Sequence, residues 1–140
     1  MKYIILVILI LATIAFSLKK DAPELKKYKI EVLKSGTYSH YPKKGDQVIV
    51  NYVGTLLDGK KFDSSRDRNQ PFVFNVGQGR VIQCWDEVVS NLTIGDHVSV
   101  TCPSQTAYGS RGAGQIIGPN ADLIFDIEMI SFESNSQSEL

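Results

Sequence analysis

The sequence predicts an α+β domain, with five to six antiparallel strands in one sheet and one short helix covering a face of it. Three observations carry that expectation. Stretches that alternate apolar and polar residues recur along the 140-residue chain, as half-buried strands do. Only one stretch, Val81 to Leu92, spaces its apolar residues three and four apart, as a helix face does. Asp58-Gly59 is a strong hairpin turn between two alternating stretches, which makes its neighbours antiparallel.

The first seventeen residues stand apart from this pattern. Met1-Lys2 is a short positive start, Tyr3 to Phe16 is apolar except for Thr13, and Ala15-Phe16-Ser17 offers small residues at cleavage-site spacing. Lys19-Lys20-Asp21 then ends the apolar run. Residues 1–17 therefore read as a secretory signal peptide. An uncleaved anchor is the competing reading, but a membrane span needs about twenty apolar residues. A linker is expected over 18–27, the folded domain over 28–133, and a disordered polar tail over 134–140. The last four residues, Gln137-Ser-Glu-Leu140, share only the terminal Glu-Leu with the Lys-Asp-Glu-Leu retention signal.

Tyr28 to Leu33 alternates as a strand, and Gly36 breaks it. Residues 39–45 hold Pro42 and Gly45 and read as a loop. Gln47 to Leu56 alternates again, with Val48, Val50 and Tyr52 on one face and Gly54 as a candidate bulge. Lys61-Phe62-Asp63 begins the return strand, and Ser64 to Asn69 is too polar to continue it. Phe72 to Val76 is a strand. In the helix, Val81, Ile82, Trp85, Val88, Val89 and Leu92 recur at helical spacing. Asp96 to Cys102 and Leu123 to Phe132 are the last two strands. Between them, Pro103 to Asn120 is a glycine-rich loop with Ala107-Tyr108-Gly109 and Ile116-Ile117-Gly118-Pro119.

Composition narrows the function. At 43% hydrophobic residues the chain can bury a core. Fifteen basic side chains balance fifteen acidic ones. Losing residues 1–17 removes Lys2 alone, leaving 14 basic against 15 acidic. No basic stripe points to nucleic acid, so no nucleic-acid partner is expected. His40 and His97 lack cysteine or carboxylate partners at ligand spacing, so neither a metal nor another cofactor is expected. After signal cleavage no membrane association is expected, and the protein is expected to be a monomer.

Secretory entry gives the two cysteines a choice. Cys84 and Cys102 either pair in an oxidising compartment or stay as small buried thiols. Pairing would need their Cα atoms within about 7 Å. Entry also makes Asn91-Leu92-Thr93 a glycosylation sequon, and its place before the Gly95-Asp96 turn suggests that Asn91 is exposed.

The residues from Leu57 to Asp86 hold the candidate site. Phe62 and an unpaired acid, Asp63, follow the hairpin turn. Phe72, Val81-Ile82 and the only tryptophan, Trp85, come after. These groups fit no single strand or helix face. They make sense if several elements bring them together around a small, aromatic, nearly uncharged pocket, which suits an apolar ring-like ligand.

Asn51-Tyr52-Val-Gly-Thr-Leu-Leu-Asp-Gly, Lys61-Phe62-Asp63-Ser-Ser, Val81-Ile82-Gln-Cys-Trp85-Asp-Glu, Ala107-Tyr108-Gly109 and Leu123-Ile-Phe125-Asp-Ile-Glu together resemble the macrolide-binding FKBP-type peptidyl-prolyl cis–trans isomerases. The resemblance runs from about Lys29 to Phe132. It implies an antiparallel sheet wrapped around one short helix. It implies a binding pocket lined by Tyr52, Phe62, Asp63, Phe72, Val81, Ile82, Trp85, Tyr108, Ile117 and Phe125. Phe62, Asp63, Trp85, Tyr108 and Phe125 would be the catalytic subset, with the Trp85 indole as floor. The Ile82 amide and the Tyr108 hydroxyl would bind carbonyls, Asp63 would accept a hydroxyl, and Arg68 would support the site.

The sequence departs from the family pattern in three places. Arg80 stands where a glutamate is common, Ala113-Gly114 replaces a histidine-proline pair in the long loop, and Cys84 replaces a glycine before the tryptophan. The implied partners are proline-containing polypeptide clients and macrolide ligands. The signal-like start and terminal Glu-Leu resemble the secretory-pathway, endoplasmic-reticulum branch of the family. Two other readings use the same residues less fully: a peptide or macrolide receptor with incidental catalysis, and a holding chaperone, which would need apolar surface that the sequence does not supply.

Overall fold

The structure is a computed structural model and describes residues 22–37 and 39–135. The expected signal peptide, linker residues 18–21 and tail residues 136–140 lie outside the described residues.

Six strands and one α-helix follow in order: β1 (Lys29–Lys34), β2 (Gln47–Leu56), β3 (Lys61–Ser64), β4 (Phe72–Asn75), α1 (Gln83–Val89), β5 (His97–Cys102) and β6 (Leu123–Glu133). Every pairing is antiparallel. The sheet order is β1-β5-β6-β2-β3, with β4 also on β2. The β2–β6 ladder is the spine, pairing Gln47 with Glu133 at one end and Leu56 with Leu123 at the other. Two short strands share the far edge of β2: β4 takes Gln47 to Val50, and β3 takes Val53 to Thr55. The expected irregularity at Gly54 is present, as the β2–β3 register shifts between Gly54 and Thr55.

Between β3 and β4 the chain leaves the sheet, and Ser65 ties down its exit. The Ser65 amide donates to Tyr52 O at 3.0 Å, and Ser65 Oγ accepts from the Tyr52 amide at 2.8 Å. The buried serine thus keeps Tyr52 bonded where neither short strand covers it.

Strand pleating puts alternate residues on one face. Val48, Val50 and Tyr52 of β2, Val98 and Val100 of β5, and Leu123, Phe125, Ile127 and Met129 of β6 are buried there. α1 lies against them through Cys84, Trp85, Val88 and Val89, completing the core. Burying each such aliphatic side chain contributes about 1.5–3 kcal/mol. A helix of seven residues has little stability of its own. Packing and a covalent bond hold it instead. Cys84 and Cys102 form a disulfide with an S–S distance of 2.02 Å and a Cα–Cα distance of 5.8 Å. It joins the start of α1 to the end of β5.

Four expectations are corrected. The helix does not span Val81 to Leu92. Ile82 is extended, with φ −58° and ψ 150°, and caps α1 from outside. At the other end the Asn91 and Leu92 amides turn back on Val88 O and Val89 O. The outer members of the apolar pattern are buried or half-buried without being helical. Second, the last part of the expected linker is packed structure. Pro23–Lys27 is a 3-10 turn whose Leu25 is buried. Tyr28 donates its hydroxyl to Glu87, and Lys27 pairs with the same carboxylate at 2.8 Å. Third, Asn91 is buried, not exposed. Its amide nitrogen donates to Glu87 O at 2.8 Å and to Glu24 Oε1 at 3.1 Å. Fourth, the expected tail is anchored at its start, where the Asn135 amide reaches Asp46 Oδ1 at 3.2 Å.

Replacing both bridge cysteines with alanine should lower the unfolding free energy by about 3 kcal/mol, the chain-entropy value for a loop of this length. Denaturant unfolding with and without the pair checks this, and an unchanged midpoint would show that the bridge adds nothing.

Candidate functional site

Trp85 of α1 is buried against the sheet, and four aromatic rings from three strands meet it. Tyr52 of β2 stands edge-on at 4.9 Å between centroids and 82° between planes. Phe72 of β4 lies at 5.8 Å and 77°, and Phe125 of β6 at 5.3 Å and 84°. Phe74, stacked on Phe72, lies at 5.8 Å and 50°. Edge-to-face pairs at such distances are each worth about 0.5–1.5 kcal/mol beyond area burial. Phe62 of β3 extends the wall, edge-on to Phe125 at 5.6 Å and 89°. The indole Nε1 is buried without a hydrogen-bond partner among the described residues. Leaving such a donor unpaired costs about 1–3 kcal/mol.

These rings enclose one side of a cavity of about 270 Å³, lined by Tyr52, Phe62, Asp63, Phe72, Arg80, Val81, Ile82, Trp85, Tyr108 and Phe125. The structure therefore brings nine of the ten expected binding residues to one cavity. Ile117 is the exception. Its backbone pairs with Ala113 within the long loop, at 2.9 and 3.2 Å, and its side chain is buried in the hydrophobic core. A larger groove of about 450 Å³ lies on the other side of Val81, lined by Glu24, Gly77, Gly79, Gln83, Asp86, Glu87 and Ser90. It holds no aromatic ring, and its carboxylates are engaged elsewhere, so the smaller aromatic cavity is the candidate site.

Three residues outside the expected site list shape this cavity. A Cβ on Gly54 would lie 2.5 Å from Phe62 Cζ and 2.9 Å from Phe125 Cε1, so both rings lie across bare backbone. Asp86 grips the turn ahead of the helix, its two oxygens accepting from the Gly77 and Gly79 amides at 2.9 Å each. Both glycines have positive φ, 77° and 68°, which side chains resist. The turn then delivers Val81 and Ile82 to the rim. Ile82 O accepts from the Trp85 and Asp86 amides, whereas no described residue accepts from the Ile82 amide itself. Arg80 joins the lining from the same turn. The sequence signals were present in each case: a glycine inside a strand, a Gly-x-Gly turn with an acid seven residues on, and an arginine in place of an acid.

Asp63 is not an unpaired acid. It accepts from the Tyr52 hydroxyl, from Arg68 Nη1, and from the Ser64 amide at 2.9 Å. Partial burial alone would raise its pKa, but the Tyr52 and Arg68 hydrogen bonds, the Arg68 charge and the Ser64 amide outweigh it and hold the carboxyl below its ordinary value. Burial first, and then the bond to Asp63, push the Tyr52 hydroxyl up. Arg68 also reaches Tyr52 Oη at 3.2 Å, closing a triangle. The carboxylate and guanidinium cancel as charges, and both remain 41–50% exposed, so solvent screens the pair. Across the mouth Tyr108 is 41% exposed, and no described residue bonds its hydroxyl.

Fold and cavity together define a small α+β binding domain whose site is an aromatic box with a sparse polar rim. Comparison with known proteins places it further. Residues 39–130 match the FKBP-type peptidyl-prolyl cis–trans isomerase family. A peptidyl-prolyl cis-trans isomerase Fkbp12 of Drosophila melanogaster is 52% identical over 98 residues, covering 70% of this chain and 91% of that protein. Peptidyl-prolyl cis-trans isomerase FKBP1A of Xenopus laevis is 47% identical over 74% of this chain and 96% of its own length. FK506-binding protein 1 of Yarrowia lipolytica is 48% identical over 72% and 94%. The chain belongs to the FKBP-type peptidyl-prolyl cis–trans isomerase family.

Two outcomes test the geometry. A carboxylate whose folded pKa is depressed stabilises the fold above its unfolded pKa of about 3.9 and loses that contribution as pH falls through the folded value. Arg68→Ala should therefore raise the Asp63 titration midpoint, read by carboxyl carbon chemical shift, and an unmoved midpoint would contradict the triangle. Gly54→Ala should displace Phe62 and Phe125 and destabilise the domain by about 1–3 kcal/mol, the usual range for overpacking. Unchanged ring shifts and stability would show that the two rings do not depend on that bare backbone.

Proposed function

We propose that this isomerase acts on X-Pro bonds of polypeptides in the secretory pathway, within the endoplasmic reticulum, and that macrolides of the FK506 kind inhibit it by filling the same cavity. The observation that carries the catalytic reading is the Trp85 floor enclosed by the edges of Tyr52, Phe72 and Phe125.

Rotation about the peptide bond faces a barrier of about 18–20 kcal/mol. No covalent bond to another atom need break, so the whole task is to favour the twisted amide over the planar one. The twisted amide has lost resonance and is less polar, so a dry aromatic site suits it better than water does. The five-membered ring rests on the Trp85 indole. Phe62 and Phe125 exclude water on one side, and Val81 and Phe72 on the other. The Ile82 amide and the Tyr108 hydroxyl, both without partners among the described residues, are donors for the carbonyls that flank the rotating bond. Asp63, held ionised by Tyr52 and Arg68, faces the carbonyl oxygen's path or a ligand hydroxyl. Each tenfold in rate needs about 1.4 kcal/mol of preferential stabilisation.

The macrolide reading is supported by the family and by the relatives named FK506-binding protein 1. The secretory reading is supported by the signal-like first seventeen residues and by a disulfide, which oxidising compartments preserve.

The purified, folded protein should accelerate cis–trans exchange of a Leu-Pro peptide, and FK506 should abolish the acceleration. A rate equal to background would defeat the catalytic reading. Full activity at saturating FK506 would show that the cavity is not the site. Trp85→Ala should lower stability by about 3–5 kcal/mol and weaken FK506 binding. N-terminal sequencing of the protein recovered from a secretory cell should find residue 18 first, and an intact Met1 would contradict the targeting reading.

A further inference from the structure

The cavity carries one charge that nothing in the fold neutralises. Asp63 and Arg68 cancel each other. In the neighbouring groove Asp86 is spent on the Gly77 and Gly79 amides, and Glu87 on Lys27, Tyr28 and Gln83. Arg80 lines the aromatic cavity itself, is exposed, and has no hydrogen bond or ion pair with any described residue. It sits two residues before Ile82, which lines the same cavity and whose amide has no acceptor among the described residues, and next to Val81, part of the wall. A peptide carbonyl held at Ile82 thus places the residues flanking the proline within the field of the guanidinium, while the proline ring occupies the uncharged floor.

We propose that Arg80 is a specificity-determining residue that biases the isomerase toward X-Pro sites carrying an acidic side chain beside the proline, and against sites carrying a basic one. The inference rests on the isomerase reading and adds a substrate class to it. The guanidinium stays charged at any working pH and presents a planar pair of donors to a carboxylate. Its stem is tethered by the Asp86-clamped turn, so only the side chain beyond the backbone must be ordered on binding. Exposure limits the effect, since pairs at solvent-facing sites are worth about 0.2–1 kcal/mol, or up to about fivefold. Attraction of an acid and repulsion of a base act in opposite directions, so their ratio is the sensitive quantity.

The test measures kcat/KM for three peptides differing only in the residue before proline, Glu, Leu or Lys, and for three differing only in the residue after it. At low salt the full chain should turn over the Glu peptide roughly three- to tenfold better than the Lys peptide in at least one series. The Leu peptide should lie between them. Arg80→Gln should bring the Glu-to-Lys ratio close to one, and Arg80→Glu should invert it. Raising salt toward 1 M, where screening acts within about 3 Å, should collapse the wild-type ratio but leave that of Arg80→Gln unmoved. Equal Glu and Lys rates in both series, or a ratio that survives Arg80→Gln, would overturn the assignment while leaving the isomerase reading intact. If the folded protein turns over none of the peptides, Leu included, the underlying reading fails and the specificity claim falls with it.

Discussion

The indole of Trp85 is the piece around which the rest of the molecule is arranged. It belongs to a helix too short to stand alone, yet it is 4% exposed and touches rings from β2, β4 and β6. The β2–β6 ladder supplies Tyr52 and Phe125 at neighbouring positions. The split far edge of β2 supplies Phe72 from one short strand and Phe62 from the other. The Cys84–Cys102 bond fixes the start of the helix one residue from the indole. Sheet, helix and disulfide therefore converge on one plane, and the opposite side of that plane is the cavity floor. Because the ring is both core and site, the fold cannot relax there without losing the site.

The polar rim follows a different rule. An aromatic box for an uncharged ring gains nothing from a bare carboxylate inside it, since an unpaired charge in a dry site is expensive. Tyr52, Arg68 and the Ser64 amide hold the Asp63 carboxyl below its ordinary value, and the triangle leaves the box nearly neutral. Donors without partners among the described residues, at Ile82 and Tyr108, remain at the edge. Arg80 is the departure from this neutrality, and it lies at the rim, not on the floor.

Much of this was legible in the sequence because the physics involved is local. Alternation located β2, β5 and β6, and Asp58-Gly59 located the turn before β3. The irregular spacing of Phe62, Asp63, Phe72, Val81, Ile82 and Trp85 pointed to a shared pocket, since no single face accommodates it. What failed was non-local. The pattern from Val81 to Leu92 has helical period, but Asp86 spends its carboxylate on Gly77 and Gly79 and holds Val81 and Ile82 outside the helix. Asn91 looked exposed beside a turn, yet it is buried through a bond to Glu24, 67 residues away. Ile117 does not join the cavity lining, and its backbone pairs with Ala113 inside the long loop. Gly54 read as a bulge, and its role as the bare surface beneath Phe62 and Phe125 emerges only when three strands are assembled.

The central claim is that the proline ring of the substrate rests on the Trp85 indole while its amide rotates. Intermolecular nuclear Overhauser effects between the purified protein and a Leu-Pro peptide undergoing catalysed exchange test this directly. The account predicts cross-peaks from the prolyl ring protons to the Trp85 indole and to the Phe125 and Phe72 rings, lost on addition of FK506. Catalysed exchange with prolyl contacts confined to another part of the surface, and none to Trp85, would contradict it.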